Sequence, residues 1–425
     1  MNEILPSTIA KVYARELMYC LDTHRCLDWE GEKSISTQPL FEKYGGMMFG
    51  VLVAVDERRG EIVSLKAFSG EYSNTANIPG WSPPAYDETE YRRVVDTSAE
   101  TIRALLAEGR SKEARRVSIE TQKHVHSLHL IHTIDGVRKP LVELCEGSSI
   151  PSGTGDCCGV KLLNEAFRRG LRPVSMVEFF YGSPNRSKTK TSHTFYRPCD
   201  SRCALVLPAM IKLQVLYVDE HIIVVNKPSG LLSVPGIGAD KQDCVVSRVK
   251  ALIPWSIESP SVHRLDMDTS GLLVLGLTKE AQRGLSIQFM NREIDKSYIA
   301  LLEGIVERQE GTISLAFRLD VDNRPYQILD EKKGKMGITD FRRIRVEQYC
   351  ESVMATRMEF TPHTGRTHQL RVHSSHPRGL GHPIIGDRLY GRKIADERLM
   401  LHAATLSFTH PVNGRRMEFA TEAPF

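Results

Sequence analysis

The first half of the chain changes from a strand pattern to a helical one. Residues 45–55 are almost wholly apolar, and residues 61–68 form a second strand-like run after the polar turn at 56–60. This pattern predicts a β-hairpin with a short loop. Over residues 98–130, apolar positions recur at helical spacing among charged ones, which predicts a solvated helix or helical hairpin. Residues 161–169 predict a short amphipathic helix.

The pattern of hydrophobic and polar residues changes near residue 213. Beyond it, strands and short helices alternate without the regular period of a parallel α/β protein, so we expect an α+β fold with a mixed, largely antiparallel sheet. The change divides the chain into an α+β accessory region at 1–205 and a second domain at 213–425. The predicted elements of that domain are a strand–turn–strand at 215–226, strands at 271–277 and 296–302, and a helix at 279–291.

Composition adds only broad constraints. The chain has 425 residues, of which 41% are hydrophobic and 25% charged, as in an ordinary globular protein of two or three domains. No apolar run reaches the roughly 18 residues of a membrane span, and the first residues do not resemble a signal peptide, so we expect a cytoplasmic protein without membrane contact. The nine cysteines are then expected to be reduced. A net charge of +4 neither requires nor excludes a nucleic-acid partner.

A first candidate for chemistry is the stretch SVHRLDMDTSGLLV at residues 261–274. Asp266 follows Arg264 by two residues and precedes two hydroxyl side chains, in a polar loop that leads into an apolar strand. Such a loop would hold a reactive carboxylate on rigid backbone. The alternative is that Asp266 caps the turn by accepting hydrogen bonds from Ser270 and from backbone N–H groups.

A second candidate is the basic cluster TPHTGRTHQLRVH at residues 361–373. It could bind phosphates, or an arginine in it could keep a buried carboxylate ionised. The alternative is a solvated charged loop. Four histidines also raise the question of a metal, but no carboxylate or cysteine completes a familiar ligand spacing, so we expect none here. These histidines are His363, His368, His373 and His376.

These stretches resemble sequence blocks of a known family. HRLDMDTSG at residues 263–271 resembles the signature loop of the RluA family of RNA pseudouridine synthases. Further blocks resemble the family's remaining motifs in the family's order. They lie at residues 219–230, 296–300, 365–373, 381–387 and 399–406.

The resemblance implies the pseudouridine synthase fold for residues 213–425 and a cofactor-free isomerisation of uridine to pseudouridine in RNA. Asp266 falls on the family's catalytic aspartate, acting as nucleophile or as base. Arg371 falls on the arginine expected to pair with that aspartate and keep it ionised. Tyr298 falls on the tyrosine that stacks against the target uracil, and Arg264 on the arginine that fills the gap left by the flipped nucleotide.

The same resemblance implies a ribosomal or transfer RNA stem-loop as substrate, and we expect the enzyme to be a monomer. The remaining residues predicted to contact RNA or assist base flipping are His263, Thr269, Lys227, Arg366, His368 and Gln369. A non-catalytic RNA-binding or ribosome-assembly factor with the same fold is the main alternative function, although such a protein would be expected to have lost Asp266.

The accessory region shows no S4-type RNA-binding pattern and instead resembles the N-terminal extension of some longer bacterial family members. Its cysteines allow a zinc hypothesis, but their spacing is atypical, so reduced cysteines are the preferred interpretation and a metal-dependent enzyme is a weak third alternative. A deaminase-type zinc site is not supported because no His-x-Glu precedes the cysteines at a suitable distance. The residues of the zinc hypothesis are Cys157, Cys158, Cys199 and Cys203, with Cys145 or His193 nearby.

Overall fold

The structure is a computed structural model, and its chain divides into two compact units. The first unit contains Met1–Lys212 and Val249–Glu258, and the second contains Leu213–Arg248 and Ser259–Phe425. The structure describes residues 6–32, 35–43, 45–145, 149–196, 202–238, 241–253, 256–350, 353–391 and 398–425. No helix within these ranges has both the length and the apolar character that crossing a membrane requires.

The first unit is built on a small antiparallel sheet with helices. Its elements are α1 (Pro6–His24), β1 (Met47–Asp56), β2 (Glu61–Phe68), α2 (Glu88–Ala107), α3 (Ser111–Leu128), β3 (Leu130–His132), β4 (Arg138–Pro140), α4 (Leu141–Leu144), α5 (Cys158–Arg168), β5 (Arg172–Tyr181), β6 (Thr194–Tyr196) and α6 (Cys203–Met210). The main sheet has the order β2-β1-β5-β6, and an aromatic-rich core that includes Phe49, Phe179 and Trp81 packs on it.

Two local predictions for this unit are confirmed. Strands β1 and β2 pair antiparallel as the predicted hairpin, with Asp56 opposite Glu61. The helical stretch predicted from residue 98 is a hairpin of two helices, α2 and α3, which pack against each other, although α2 begins earlier than predicted, at Glu88. The break between them falls at Gly109, whose φ of +75° lies in the left-handed region that glycine adopts without a steric penalty.

The second unit is built on one large, curved set of strands. Its elements are β7 (Gln214–Val218), β8 (Ile222–Lys227), α7 (Val245–Leu252), β9 (Ser270–Gly276), α8 (Lys279–Asn291), β10 (Asp295–Glu303), β11 (Glu310–Leu319), β12 (Gln327–Leu329), β13 (Lys335–Cys350), β14 (Val353–Pro362), α9 (Gln369–Ser375), β15 (Leu401–Thr409) and β16 (Arg416–Ala420). The last residues of α7 are counted with the first unit.

The sheet of the second unit is mixed and largely antiparallel, as predicted. The strand order is β12-β11-β13-β14-β10-β15-β9-β8-β7, and β16 pairs with β15. The pair β15–β9 is parallel, while the other described pairs of this sheet are antiparallel. The α+β prediction is therefore confirmed.

The parallel pair determines where the polar loop before β9 lies. Gly271 is opposite Ala403 of β15, which in turn is opposite Tyr298 of β10. Gly271 has a φ of +116°, and a Cβ there would collide with the backbone of Ala403. The close approach that glycine permits brings the start of β9, and with it the Asp266 loop, against β15, one strand away from the first half of β10.

Candidate active site

An open cleft of about 1130 Å³ lies within the second unit, at the point where the Asp266 loop, β10 and the start of α9 meet. Nine of the ten sequence-predicted site residues contribute to its wall. They are Asp266, Tyr298, Arg371, Arg264, His263, Thr269, Arg366, His368 and Gln369. The tenth, Lys227, is outside this lining.

The Asp266 loop is fixed by hydrogen bonds from its own backbone and from a neighbouring serine. The Ser233 hydroxyl accepts a hydrogen bond from the N–H of Leu265 (3.0 Å) and donates one to its carbonyl (2.7 Å). The carbonyl of Asp266 accepts from the N–H of Thr269 at 3.1 Å. The backbone on both sides of the Asp266 side chain is thus held in place, as an active carboxylate requires.

The carboxylate of Asp266 is directed to the cleft and not to the turn. Among the described residues its close basic neighbours are Arg371, whose Nη1 is 3.7 Å from Oδ2, and His368, whose Nε2 is 4.0 Å from Oδ2. Ser270 bonds instead to the ring of His402 and to the guanidinium of Arg398. The turn-capping alternative for Asp266 is therefore not what the structure shows, and 22% of its side chain is solvent-exposed.

Arg371 has a different principal partner from the predicted one. Its Nε and Nη2 donate to the two carboxylate oxygens of Asp387 at 2.8 and 2.6 Å, and its distance to Asp266 is longer. Burial acts to lower the pKa of Arg371, but the hydrogen bonds and charge of Asp387 and the charge of Asp266 outweigh it and raise that pKa. A permanently charged guanidinium thus bridges two carboxylates.

Asp387 is a functional candidate that sequence reasoning missed. Its side chain is fully buried, and Oδ1 also accepts the N–H groups of Leu389 and Tyr390. The residue lies in the Gly-Asp pair of the block at 381–387, which was noted only for its resemblance. The signal available was a carboxylate in an otherwise apolar block, which is unusual unless a cation pairs with it.

His368 is the second basic neighbour of Asp266, and its ring is oriented by Tyr390. The Tyr390 hydroxyl accepts the N–H of Gln327 at 2.8 Å, so its proton is available to Nδ1 of His368 at 2.9 Å. This assigns the imidazole proton to Nε2, the nitrogen that faces Asp266. Burial lowers the pKa of His368, and the neighbouring Asp266 charge only partly opposes that shift, so the ring is neutral at pH 7.

The cluster at 361–373 is therefore not a solvated loop. Helix α9 buries its residues from Gln369 to Ser374. The Gln369 amide donates to the Ile338 carbonyl and the Thr339 hydroxyl, and its oxygen accepts from the Thr364 hydroxyl and the N–H of Arg366. Both ends of this amide are occupied within the second unit, so Gln369 fixes the start of α9, and its contact with RNA stays a prediction.

Two further residues predicted to contact RNA, His263 and Thr269, are held by contacts inside the second unit. Nε2 of His263 accepts the N–H of Val274 at 3.1 Å, and its ring stacks on Phe289 with centroids 4.4 Å apart. Burial, with a smaller effect from the nearby Lys296, lowers the pKa of His263 to about 3, so it carries no positive charge for RNA. Thr269 is 2% exposed and similarly offers little surface.

Lys227 is buried and lies outside the cleft lining, and its contact with phosphate stays a prediction. Burial lowers the pKa of Lys227 to about 7. Its Nζ donates to the carbonyls of Pro228, Leu231 and Met267 at 3.0, 2.6 and 2.7 Å. Met267 follows Asp266 directly, so the hydrogen bonds of Lys227 connect the Asp266 loop to the turn after β8.

We expect Lys227→Met to destabilise the protein by about 2–4 kcal/mol, because one buried and two part-buried carbonyls lose their donor while the apolar volume is kept. Urea unfolding of both proteins at pH 7 measures this. The matched control is Lys212→Met, which removes an exposed lysine paired with Asp135 and should cost less than about 1 kcal/mol. Equal losses would contradict the role given to the buried ammonium.

The remaining predicted residues line the cleft with polar or aromatic groups. Tyr298 is partly exposed on β10, and burial together with the Asp266 charge raises its pKa, so its hydroxyl stays protonated. Arg264 and Arg366 are exposed. The cleft thus combines the Asp266 carboxylate, the bridging guanidinium of Arg371 and the ring of Tyr298 with exposed cations. Its lining also includes Asp295 and Glu359.

Cys199, one of the four cysteines of the zinc hypothesis for the first unit, lies outside the described ranges. Within those ranges, no three His, Cys, Asp or Glu side chains come close enough together to hold a metal ion.

Comparison with known proteins gives the class. A family model described as RNA pseudouridylate synthase matches residues 221–376. The dual-specificity RNA pseudouridine synthase RluA of Yersinia pestis is 46% identical over 214 residues, which are 50% of this chain and 99% of that protein. RluA of Escherichia coli strain K12 is 45% identical over 216 residues, 50% of this chain and 94% of that protein.

A solved structure of human RNA pseudouridylate synthase domain containing 1 is 30% identical, covers 50% of this chain and 84% of that chain, and has a TM-score of 0.42. The fold of the second unit and its sequence matches define an RNA pseudouridine synthase. Within that class, the chain belongs to the RluA family.

Proposed function

We propose that the cleft of the second unit isomerises uridine to pseudouridine with Asp266 as the catalytic residue. The observation that carries this proposal is the position of the carboxylate: it faces an open cleft, without a hydrogen bond from the described residues, 3.7 Å from a charged guanidinium. A carboxylate that only stabilised the loop would have its oxygens bonded to that loop.

The reaction breaks the bond between C1′ and N1 of uridine and forms a bond between C1′ and C5. The proton lost from C5 is balanced by one gained at N1, so atoms and electrons balance without an external reagent. Asp266 supports the step either as nucleophile or as base. Arg371 holds a positive charge beside it throughout, since its pKa is raised by Asp387 and Asp266 against the effect of burial.

Tyr298 supplies the wall against which the freed uracil turns. A flat aromatic ring holds a base by stacking without fixing its rotation, which suits a base that has to turn in place. Arg264 and Arg366 are exposed at the cleft and are proposed to contact the RNA. Extruding a nucleotide costs a few kcal/mol, and the planar guanidinium of Arg264 can offset part of that cost by filling the gap.

For the substrate we propose a stem-loop of ribosomal or transfer RNA. The curated relatives are named dual-specificity RNA pseudouridine synthases, which supports more than one RNA. We further propose a cytoplasmic monomer that needs no cofactor, with residues 213–425 as the catalytic domain and residues 1–205 as an accessory region.

The decisive experiment is pseudouridine mapping of total RNA from cells with and without the gene. We expect one or a few uridines to lose their modification in the deletion strain and to regain it with the wild-type gene. Identical maps from both strains would contradict the proposal. The same map names the RNA and the modified position.

A variant pair at Tyr298 tests the stacking role. We expect Tyr298→Phe to keep most of the turnover and Tyr298→Ala to lose about 10- to 100-fold, since base–aromatic stacking is worth about 1–3 kcal/mol per base. Single-turnover rates on one RNA measure both. An equal loss in the two variants would instead assign the function to the hydroxyl.

A further inference from the structure

The first unit carries a cationic hairpin to which the proposed reaction gives no role. It comprises residues 184–196, which are most of the loop between β5 and β6 together with β6 itself. It contains Arg186, Lys188 and Lys190 but no Asp or Glu. Arg186 and Lys188 are exposed, and Lys190 is half-buried. The hairpin therefore presents positive charge without a carboxylate of its own.

The loop of this hairpin is ordered by its own hydrogen bonds. The Asn185 amide nitrogen donates to the hydroxyls of Ser187 and Thr189 at 3.0 Å each, and its oxygen accepts the N–H of Lys190 at 2.9 Å. The three cations are thus spaced by a backbone that is already fixed. A preorganised loop loses less conformational entropy on binding than a flexible one.

Aromatic rings lie beside the cations. Lys190 Nζ is 5.4 Å from the ring centroid of Tyr196, and Lys11 of α1 is 5.7 Å from that of Phe195. Both rings are partly exposed on β6, which is an edge strand of its sheet. Cations and hydroxyls are the groups that contact phosphates, and partly exposed aromatic rings are the groups on which unpaired bases stack.

We propose that the hairpin at 184–196 is a second RNA-binding surface, which holds the phosphate backbone of the substrate RNA outside the cleft. The inference rests on the proposed function, because it takes RNA as the substrate. An acidic protein would also match the charge, but the row of hydroxyls and the adjacent rings favour RNA. A protein partner is accordingly an outcome of the test.

The test compares two charge-matched triple variants of the full chain. R186Q/K188Q/K190Q removes one arginine and two lysines from the hairpin. K112Q/R115Q/K123Q removes the same set from the exposed face of α3. Filter binding to an unmodified transfer RNA transcript at several salt concentrations gives the Kd and its salt dependence.

For the hairpin variant we expect Kd to rise about 10- to 100-fold and the slope of log Kd against log salt to fall by about two to three, since each phosphate contact contributes about one. The α3 variant should stay within about twofold of wild type. The single variant Lys188→Gln, at an exposed loop position, should lower the slope by about one and serves if the triple variant does not fold.

Equal losses in the two triple variants would overturn the proposal, because they would show an effect of total charge. Unchanged RNA binding by a folded hairpin variant would also overturn it and would favour a protein partner. Pseudouridine formation is measured on the same wild-type preparation. Its absence on both unmodified ribosomal and unmodified transfer RNA would contradict the function proposed for the cleft, while the binding comparison would still report on the hairpin.

Discussion

Replacing Asp266 with Asn should lower the rate of pseudouridine formation by at least about 10⁴-fold, the scale on which enzymes respond to loss of a nucleophile or its base. The substitution keeps the shape of the side chain but removes its charge and its basicity. The side chain is partly exposed and accepts no hydrogen bond from the described residues, so folding should be unaffected. RNA affinity should be kept or slightly increased, since a negative charge facing the phosphates is removed.

Asp268→Asn provides the matched control for this experiment. Asp268 lies in the same loop but does not line the cleft, so the same chemical change there should alter turnover by less than about threefold. Single-turnover formation of pseudouridine and RNA binding would be measured for both variants. Substantial turnover by Asp266→Asn would contradict its catalytic role. Loss of RNA binding together with turnover would instead suit an RNA-binding factor without catalysis.

The sequence predicted the elements whose pattern is local. The β1–β2 hairpin follows from two apolar runs and a polar turn, and the helix at 279–291 is found at those bounds as α8. Asp266 and Tyr298 were identified through family blocks, and the structure places both in one cleft because Gly271 lets β9 approach β15 closely.

The sequence could not predict which polar groups are already occupied. Lys227, His263 and Gln369 belong to family blocks and are polar, which suggested RNA contacts. Their polar atoms instead bond to backbone or neighbouring side chains inside the second unit. A residue type shows that a donor or acceptor is present. Only the tertiary structure shows whether that group forms its hydrogen bond with solvent or with the protein's own backbone.

The pairing of Arg371 with Asp387 was missed for the same reason. The two residues are 16 positions apart, on α9 and on the turn that follows it, and no periodic pattern links them. The predicted partner, Asp266, is near the same guanidinium but takes the longer contact. In the active site, one arginine therefore links two carboxylates, whereas the sequence predicted a single arginine–carboxylate pair.

Removing the buried carboxylate of this group, Asp387, should have the largest effect on the free energy of unfolding. We expect Asp387→Ala to lower the free energy of unfolding by about 3–5 kcal/mol, because it leaves the Arg371 guanidinium buried with only the distant Asp266 as counter-charge. It also removes the acceptor of the N–H groups of Leu389 and Tyr390. Denaturant unfolding at pH 7 measures the change.

The chain offers a control with the same contact geometry on its surface. Arg248 donates to both carboxylate oxygens of Asp243 at 2.8 and 2.7 Å, but Asp243 is 54% exposed, so Asp243→Ala should cost about 0–1 kcal/mol. The contrast between the variants isolates burial from the number of hydrogen bonds. If Asp387→Ala cost no more than Asp243→Ala, the buried arginine would need another source of compensation, and the account of the site would be wrong.

A second substitution at position 387 separates the positioning of Arg371 from its charge. Asp387→Asn keeps an acceptor oxygen for the backbone N–H groups while removing the counter-charge, so it should be more stable than Asp387→Ala. Its guanidinium should then shift toward Asp266, the carboxylate that remains. A displacement of about 1 Å in an active site can cost about 10²-fold in rate. We therefore expect turnover to fall by about that factor at temperatures where the variant is fully folded, with RNA affinity unchanged.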